Sequence, residues 1–251
     1  MRLRFICALL WLLEGQSWAD TRAIGANECR PNSQPWQAIL FPPNYLFCGA
    51  TLISDRWLLT AAHCRQPFIW VLLGRQHLWK RALQEQRFVA RDFFPHPEFN
   101  PDLRVRDHNN DIMLIRLPRK ALLTPAVQPL KLSQTCVSPG TQCLFSGWWA
   151  SLSPTEKFPL TLQCADVSIL EPSLCQQAHP DRNTSGMLCA GHWDGGRVPC
   201  HGDSGGPLVC DGALAGVASG SSERCSSPQS HGVYVSVCRY LDWIRKTMED
   251  N

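Results

Sequence analysis

Residues 201–220 read HGDSGGPLVCDGALAGVASG, and the second part of this stretch sets the fold class. PLVC and ALAGVASG are short apolar runs separated by Asp211-Gly212. Asp-Gly between two such runs is a strong signal for a two-residue β-hairpin. Outward in both directions the pattern repeats. HGVYVSV at 231–237 is another short strand, and ATLISDRWLLTAAHC at 50–64 is apolar and β-branched with a polar break at Ser54–Arg56. Only the C-terminus changes period: Val237, Tyr240, Leu241, Ile244 and Met248 recur at helical spacing. Many short strands with one terminal helix predict an antiparallel barrel or sandwich. No linker or internal repeat divides the 251 residues into separate modules.

Thirteen cysteines are far more than a reducing compartment would keep free. Arg2 and Arg4 precede the apolar run FICALLWLL, and Ser17-Trp18-Ala19 fits a small-residue cleavage site. Residues 1–19 are therefore expected to be a secretory signal peptide, because nine apolar residues cannot span ~30 Å of hydrocarbon. Its removal takes Cys7 with it and leaves twelve cysteines, an even number that can pair in an oxidising, extracellular setting. Zinc is disfavoured because no CxxC pair occurs. A net charge of +3 without a basic stripe argues against a nucleic-acid partner.

Three strings carry chemistry: LLTAAHC with His63, DHNNDIMLIRL with Asp111, and the HGDSGGP that opens residues 201–220, with Ser204. A serine hydroxyl is a poor nucleophile without an adjacent base. Histidine supplies one that titrates near neutrality. A carboxylate then fixes the imidazole tautomer and stabilises its charged form. The glycines around Ser204 allow a sharp turn that brings the Gly202 and Ser204 N–H groups toward a developing oxyanion.

TAAHC, DIMLI and GDSGGP, in this order, resemble the chymotrypsin-fold serine proteases, most closely the tissue-kallikrein-related peptidases, over residues 23–251. The resemblance implies two six-stranded antiparallel β-barrels with a C-terminal helix. It implies His63 as general base and acid, Asp111 as its orienter, Ser204 as nucleophile, and Gly202 with Ser204 as the oxyanion hole. It implies six disulfides: Cys29–Cys164, Cys48–Cys64, Cys136–Cys238, Cys143–Cys210, Cys175–Cys189 and Cys200–Cys225. It implies a monomeric enzyme without cofactor or membrane contact. Its expected partners are protein or peptide substrates, an activating trypsin-like protease and serine protease inhibitors.

Residues 20–22 are expected to be an activation propeptide. Cleavage after Arg22 frees an α-amino group on Ala23 to pair with Asp203, as the family's first residue does with the Asp before its nucleophile. Here Ala23-Ile24-Gly25-Ala26 replaces the usual Ile-Val-Gly-Gly, so less apolar surface is buried and a shallower activation switch is expected.

The pocket residues implied by the family are Val198, Pro199, His201, Ser219, Gly220, Ser221 and Gly232. Trypsin-like members hold Asp six residues before the nucleophile to meet Arg or Lys. Val198 stands there, so a buried substrate cation would have no counter-charge. A chymotrypsin-like preference for Leu, Phe, Tyr or Met is expected. Ser219-Gly220-Ser221 should pair with extended substrate backbone. Gly220 replaces a frequent Trp, and Trp149 a usual Gly. These departures leave a second reading open, an inactive pseudoprotease-like binding protein. Asn183-Thr184-Ser185 is a glycosylation sequon. Histidines 77, 96, 108, 179, 192, 201 and 231 lack a catalytic context and are expected at the surface.

Overall fold

The computed structural model describes residues 26–41, 47–102, 109–148, 160–178, 184–191, 204–221 and 231–251. The first strand is β1 (Ala26–Glu28). Next come β2 (Gln37–Phe41), β3 (Cys48–Leu52), β4 (Trp57–Thr60), β5 (Ile69–Leu73), β6 (Gln86–Ala90), β7 (Asp92–Pro95) and β8 (Met113–Arg116). Beyond a connecting stretch lie β9 (Gln142–Gly147), β10 (Gln163–Ile169), helix α1 (Pro172–Ala178), β11 (Met187–Gly191), β12 (Pro207–Cys210), β13 (Ala213–Ser221), β14 (Gly232–Ser236) and helix α2 (Leu241–Asp250).

Two rings follow from the pairings. In the C-terminal half β9, β10, β11, β14, β13 and β12 pair in sequence and β12 returns to β9, closing six strands; β1 adds to β10 from outside. The N-terminal sheet runs β6-β5-β2-β3-β4-β8-β7. Only Arg91 separates β6 from β7, so these two segments act as one bent strand that joins both ends of the sheet into a second barrel. All strand pairings are antiparallel.

The apolar runs explain where these barrels meet. Strands β4 and β8 are apolar on both faces rather than alternating. Leu58, Met113 and Ile115 point into the N-terminal core with Leu40, Leu52 and Val71. Trp57, Leu59 and Leu114, together with Ile112, pack outward against Val209, Leu214, Val217, Val235 and Ile244 of the C-terminal half. A strand buried on both faces needs a continuous apolar run, which is what WLL and IMLI supply.

The Asp211-Gly212 hairpin forms as its residues require. Both have positive φ, +50° and +71°, the two-residue turn that matches the twist of its flanking strands. The C-terminal helix also forms, with Ile244 fully buried; Val237 lies in the short 3-10 turn before it. Helix α1 was not foreseen. Its seven residues carry no full apolar repeat, and Cys175 fastens it to β11 through Cys189. Five of the six expected disulfides are present: Cys29–Cys164, Cys48–Cys64, Cys136–Cys238, Cys143–Cys210 and Cys175–Cys189. Cys200–Cys225 lies outside the described residues.

One expectation is corrected. His231 is buried, at 4% exposure, because it leads into β14, which is flanked on both sides by β11 and β13. His77 and His96 are half-buried, the latter edge-on to Tyr240 and tilted against Trp243.

Candidate active site

His63 stands on a 3-10 turn, Ala62–Cys64, that directly follows β4. Cys48–Cys64 fastens this turn back to β3. Asp111 precedes β8, the neighbour of β4, so strand pairing brings two residues 48 positions apart into contact. The His63 backbone N–H donates to Asp111 Oδ1 at 2.9 Å, and His63 Nδ1 lies 2.7 Å from Asp111 Oδ2. Asn110, with φ +57°, shapes the approach, and its side-chain carbonyl accepts from the Tyr240 hydroxyl at 3.0 Å.

Asp111 is fully buried, whereas about a quarter of the His63 side chain is exposed. A buried carboxylate needs partners, and this one has a third. The Ser219 hydroxyl donates to Asp111 Oδ2 at 2.6 Å. Ser219 can do so because β13 is bulged: its register against β14 slips between Ala218 and Gly220, leaving Ser219 unpaired and its side chain re-aimed.

The charges respond to this packing. Burial disfavours the His63 imidazolium, but the hydrogen bond and charge of Asp111 more than offset it, and the His63 pKa is raised above 6.5. Burial likewise opposes the Asp111 carboxylate. The hydrogen bond and charge of His63, then the Ser219 hydroxyl and the His63 N–H, hold its pKa below 3.8.

Ser204 belongs to the other barrel, on the turn entering β12. Its carbonyl accepts from Gly49 N–H of β3 at 2.7 Å, and Cys64 Sγ lies 3.8 Å from the same oxygen. Gly205 N–H donates to Ala218 O at 2.6 Å, and Ala218 N–H to Gly206 O at 2.9 Å. The turn is therefore seated beside the His63 turn. Gly205 has φ +82°, and a Cβ there would lie well inside van der Waals distance of Thr60 Oγ1 and Gly49 O. A Cβ on Gly49 would sit 2.8 Å from Gly206 Cα. The glycines after Ser204 thus serve a close approach of two backbones.

Of the expected pocket residues, Ser219, Gly220 and Ser221 lie on β13, where Gly220 and Ser221 pair with Val233 and Gly232 of β14. The β12 pairing ends at Val217, so among the described residues no strand covers the other edge of 219–221. A Cβ added to Gly220 would meet no described atom within 4 Å. Arg22, Ala23, Trp149, Asn183, Val198, Pro199, His201, Gly202 and Asp203 lie outside the described residues. Cys48, His63 and Cys64 bring their ligand atoms within 4.8 Å of one another, but both sulfurs are locked in the Cys48–Cys64 disulfide and are not thiolates.

The sequence marks Ser219 for a backbone role only and carries no local signal of its hydroxyl on Asp111. The close approach of Thr60 and Gly49 to the Ser204 turn is likewise carried by no local signal in the sequence.

A closed pair of barrels with this carboxylate–imidazole pair at their junction defines a serine protease fold. The Trypsin family profile matches residues 23–244, and the chain belongs to that family as a serine peptidase of its kallikrein branch. Kallikrein-9 of Homo sapiens is 67% identical over the full length of both chains, and Kallikrein-11 of Mus musculus is 49% identical over all of this chain and 90% of its own. A solved structure of neuropsin, a serine protease expressed in the limbic system of mouse brain, superposes with a TM-score of 0.83 at 46% identity. It covers 89% of this chain and 98% of its own. No helix among the described residues is long and apolar enough to cross a membrane.

Proposed function

We propose that this peptidase is a secreted endopeptidase that cleaves protein substrates through an acyl-enzyme on Ser204. The observation that carries the reading is the 2.7 Å contact of His63 Nδ1 with a fully buried Asp111 beside the Ser204 turn. Asp111 accepts a hydrogen bond from the Nδ1–H group, which fixes the tautomer that leaves Nε2 as the basic nitrogen. Ser204 Oγ attacks the scissile carbonyl while its proton passes to Nε2, and the carbonyl π electrons move onto oxygen. The N–H groups of Gly202 and Ser204 receive that oxyanion. As it collapses the C–N bond breaks, and Nε2 returns the proton to the leaving amine. Water then repeats the cycle on the ester and frees Ser204. The uncovered edge of β13 at 219–221 suits an extended substrate backbone.

Activation is assigned to cleavage after Arg22, freeing the Ala23 ammonium for Asp203. Val198 in place of an acid favours an apolar side chain before the scissile bond, because a cation buried there would lack a partner. A fluorophosphonate probe tests the chemistry: it should label Ser204 after cleavage at Arg22, and Ser204→Ala should abolish labelling. Folded, cleaved protein that takes no label would make the chain a binding protein instead. A peptide-library profile dominated by Arg or Lys would overturn the pocket assignment.

A further inference from the structure

Away from the active site, a cleft of about 210 Å³ opens between residues 31–37 and the loop of residues 74–84. Leu83, fully exposed, stands at its edge. Gln37 lines it with a side chain only 3% exposed, and its Nε2 has no hydrogen-bond partner, while its Oε1 accepts from Ser146 Oγ at 2.8 Å. Gln34 contributes a buried Oε1 that likewise lacks a partner. One donor and one acceptor on residues that line the cleft are thus buried without partners, and such groups are ordinarily paired; a small side-chain rotation toward the cleft would offer them to the C=O and N–H of a peptide backbone.

The charge around this cleft is concentrated. Residues 75–87, RQHLWKRALQEQR, hold four Arg or Lys and one Glu, a net of +3 that equals the net charge of the whole chain. The single acid, Glu85, is already satisfied by Arg75 at 2.6 Å and Arg87 at 2.5 Å. Lys80 and Arg81 are exposed, with no carboxylate in ion-pair range among the described residues. Trp79 beside them is 70% exposed. Clustered cations next to exposed apolar side chains mark a recognition surface rather than a solvated face.

We propose that this cleft docks an acidic, extended segment of a protein substrate, remote from the bond that is cut. Carboxylates of the segment meet Lys80 and Arg81, an apolar side chain packs on Leu83, and its backbone engages Gln34 and Gln37. This deepens the endopeptidase reading and rests on it for the word substrate. A hydrophobic specificity pocket discriminates by only about 10- to 200-fold per methylene, so a second site supplies selectivity that the first lacks.

The test uses Ser204→Ala protein, so that binding is read without turnover, and a fluorescein-labelled peptide of alternating Glu and Leu followed by anisotropy. Affinity should fall about tenfold in the Lys80→Glu/Arg81→Glu variant and weaken with added salt. It should also fall several-fold in Leu83→Ser, and a Gln-for-Glu peptide should bind poorly. All three positions are exposed, so melting temperature should stay unchanged. In otherwise active protein, fluorophosphonate labelling should also be unchanged. No binding, or equal binding by the charge-reversed variant or the Gln peptide, overturns the proposal. So does charge dependence without any effect of Leu83→Ser, which would indicate surface attraction outside the cleft. Peptide binding by a protein that never labels at Ser204 would instead refute the endopeptidase reading and leave the docking site standing.

Discussion

Ser219→Ala removes one oxygen and one hydrogen bond, and its consequences can be worked out from the site. Asp111 accepts three bonds, from His63 N, His63 Nδ1 and Ser219 Oγ, at 2.9, 2.7 and 2.6 Å. A hydrogen bond to a charged group contributes ~1.5–3 kcal/mol, and at a fully buried carboxylate no water replaces it. For a domain of this size that is about 3–12 °C in melting temperature. The loss depends on Asp111 being charged. Its folded pKa is depressed, so the stability it contributes is present above the ordinary carboxylate range and disappears as pH falls through the folded value. The variant should therefore melt lower than wild type at neutral pH, and the gap should narrow in strong acid. If all of the lost energy is felt in the transition state, kcat/KM on a tripeptide substrate falls about 10- to 150-fold. Calorimetry across pH and initial rates on the same preparation check both. A melting difference that is as large in acid as at neutral pH would mean that Ser219 acts by packing, and the hydrogen-bond account would be wrong.

With His63 as the proposed general base, which acts in its neutral form, the acid limb of kcat/KM should have its midpoint above 6.5 because the His63 pKa is raised; Asp111→Asn should move that midpoint down, as read from a pH–rate profile. The same raised pKa stabilises the fold below the unfolded-state value of His63, and that contribution should fade as pH rises through the folded value. Gly205→Ala should lose fluorophosphonate labelling even where the protein is recovered folded. The positive φ alone costs ~1–3 kcal/mol, and its Cβ drives against Thr60 and Gly49. Removing Cys136–Cys238 should lower stability by ~4 kcal/mol, because the intact Cys143–Cys210 bridge shortens the loop it closes to about 35 residues, against ~3 for Cys175–Cys189 at 14 residues, as measured by urea titration.

The parts of this molecule that sequence reveals are those written in adjacent residues. Asp211-Gly212 specifies its own turn, and the spacing from Val237 to Ile244 marks the buried side of the C-terminal segment. The His63–Asp111 pair is legible through its flanking strings, although only the pairing of β4 with β8 brings the two together. What sequence hides is long-range and geometric. The contact of Gly205 with Gly49 joins residues far apart in the chain, and neither glycine states which backbone it must admit. The bulge that turns Ser219 toward Asp111 arises from a one-residue slip between two strands, which composition does not encode. His231 is expected at the surface only because no catalytic context surrounds it, yet the strand it leads into is internal.

The chain crosses between its barrels twice. It does so once through residues 117–141 and once through residues 29–36, which leave β1 on the C-terminal ring to enter β2 on the N-terminal one. The first crossing is also the longer, and Cys29–Cys164 clamps the second to β10. A proteolytic nick anywhere from 117 to 135 would therefore not release either half. The product would be a two-chain molecule that migrates as one band until reduced, with His63 and Asp111 on one polypeptide and Ser204 on the other. Loss of intact chain on a reducing gel would not by itself report loss of the enzyme.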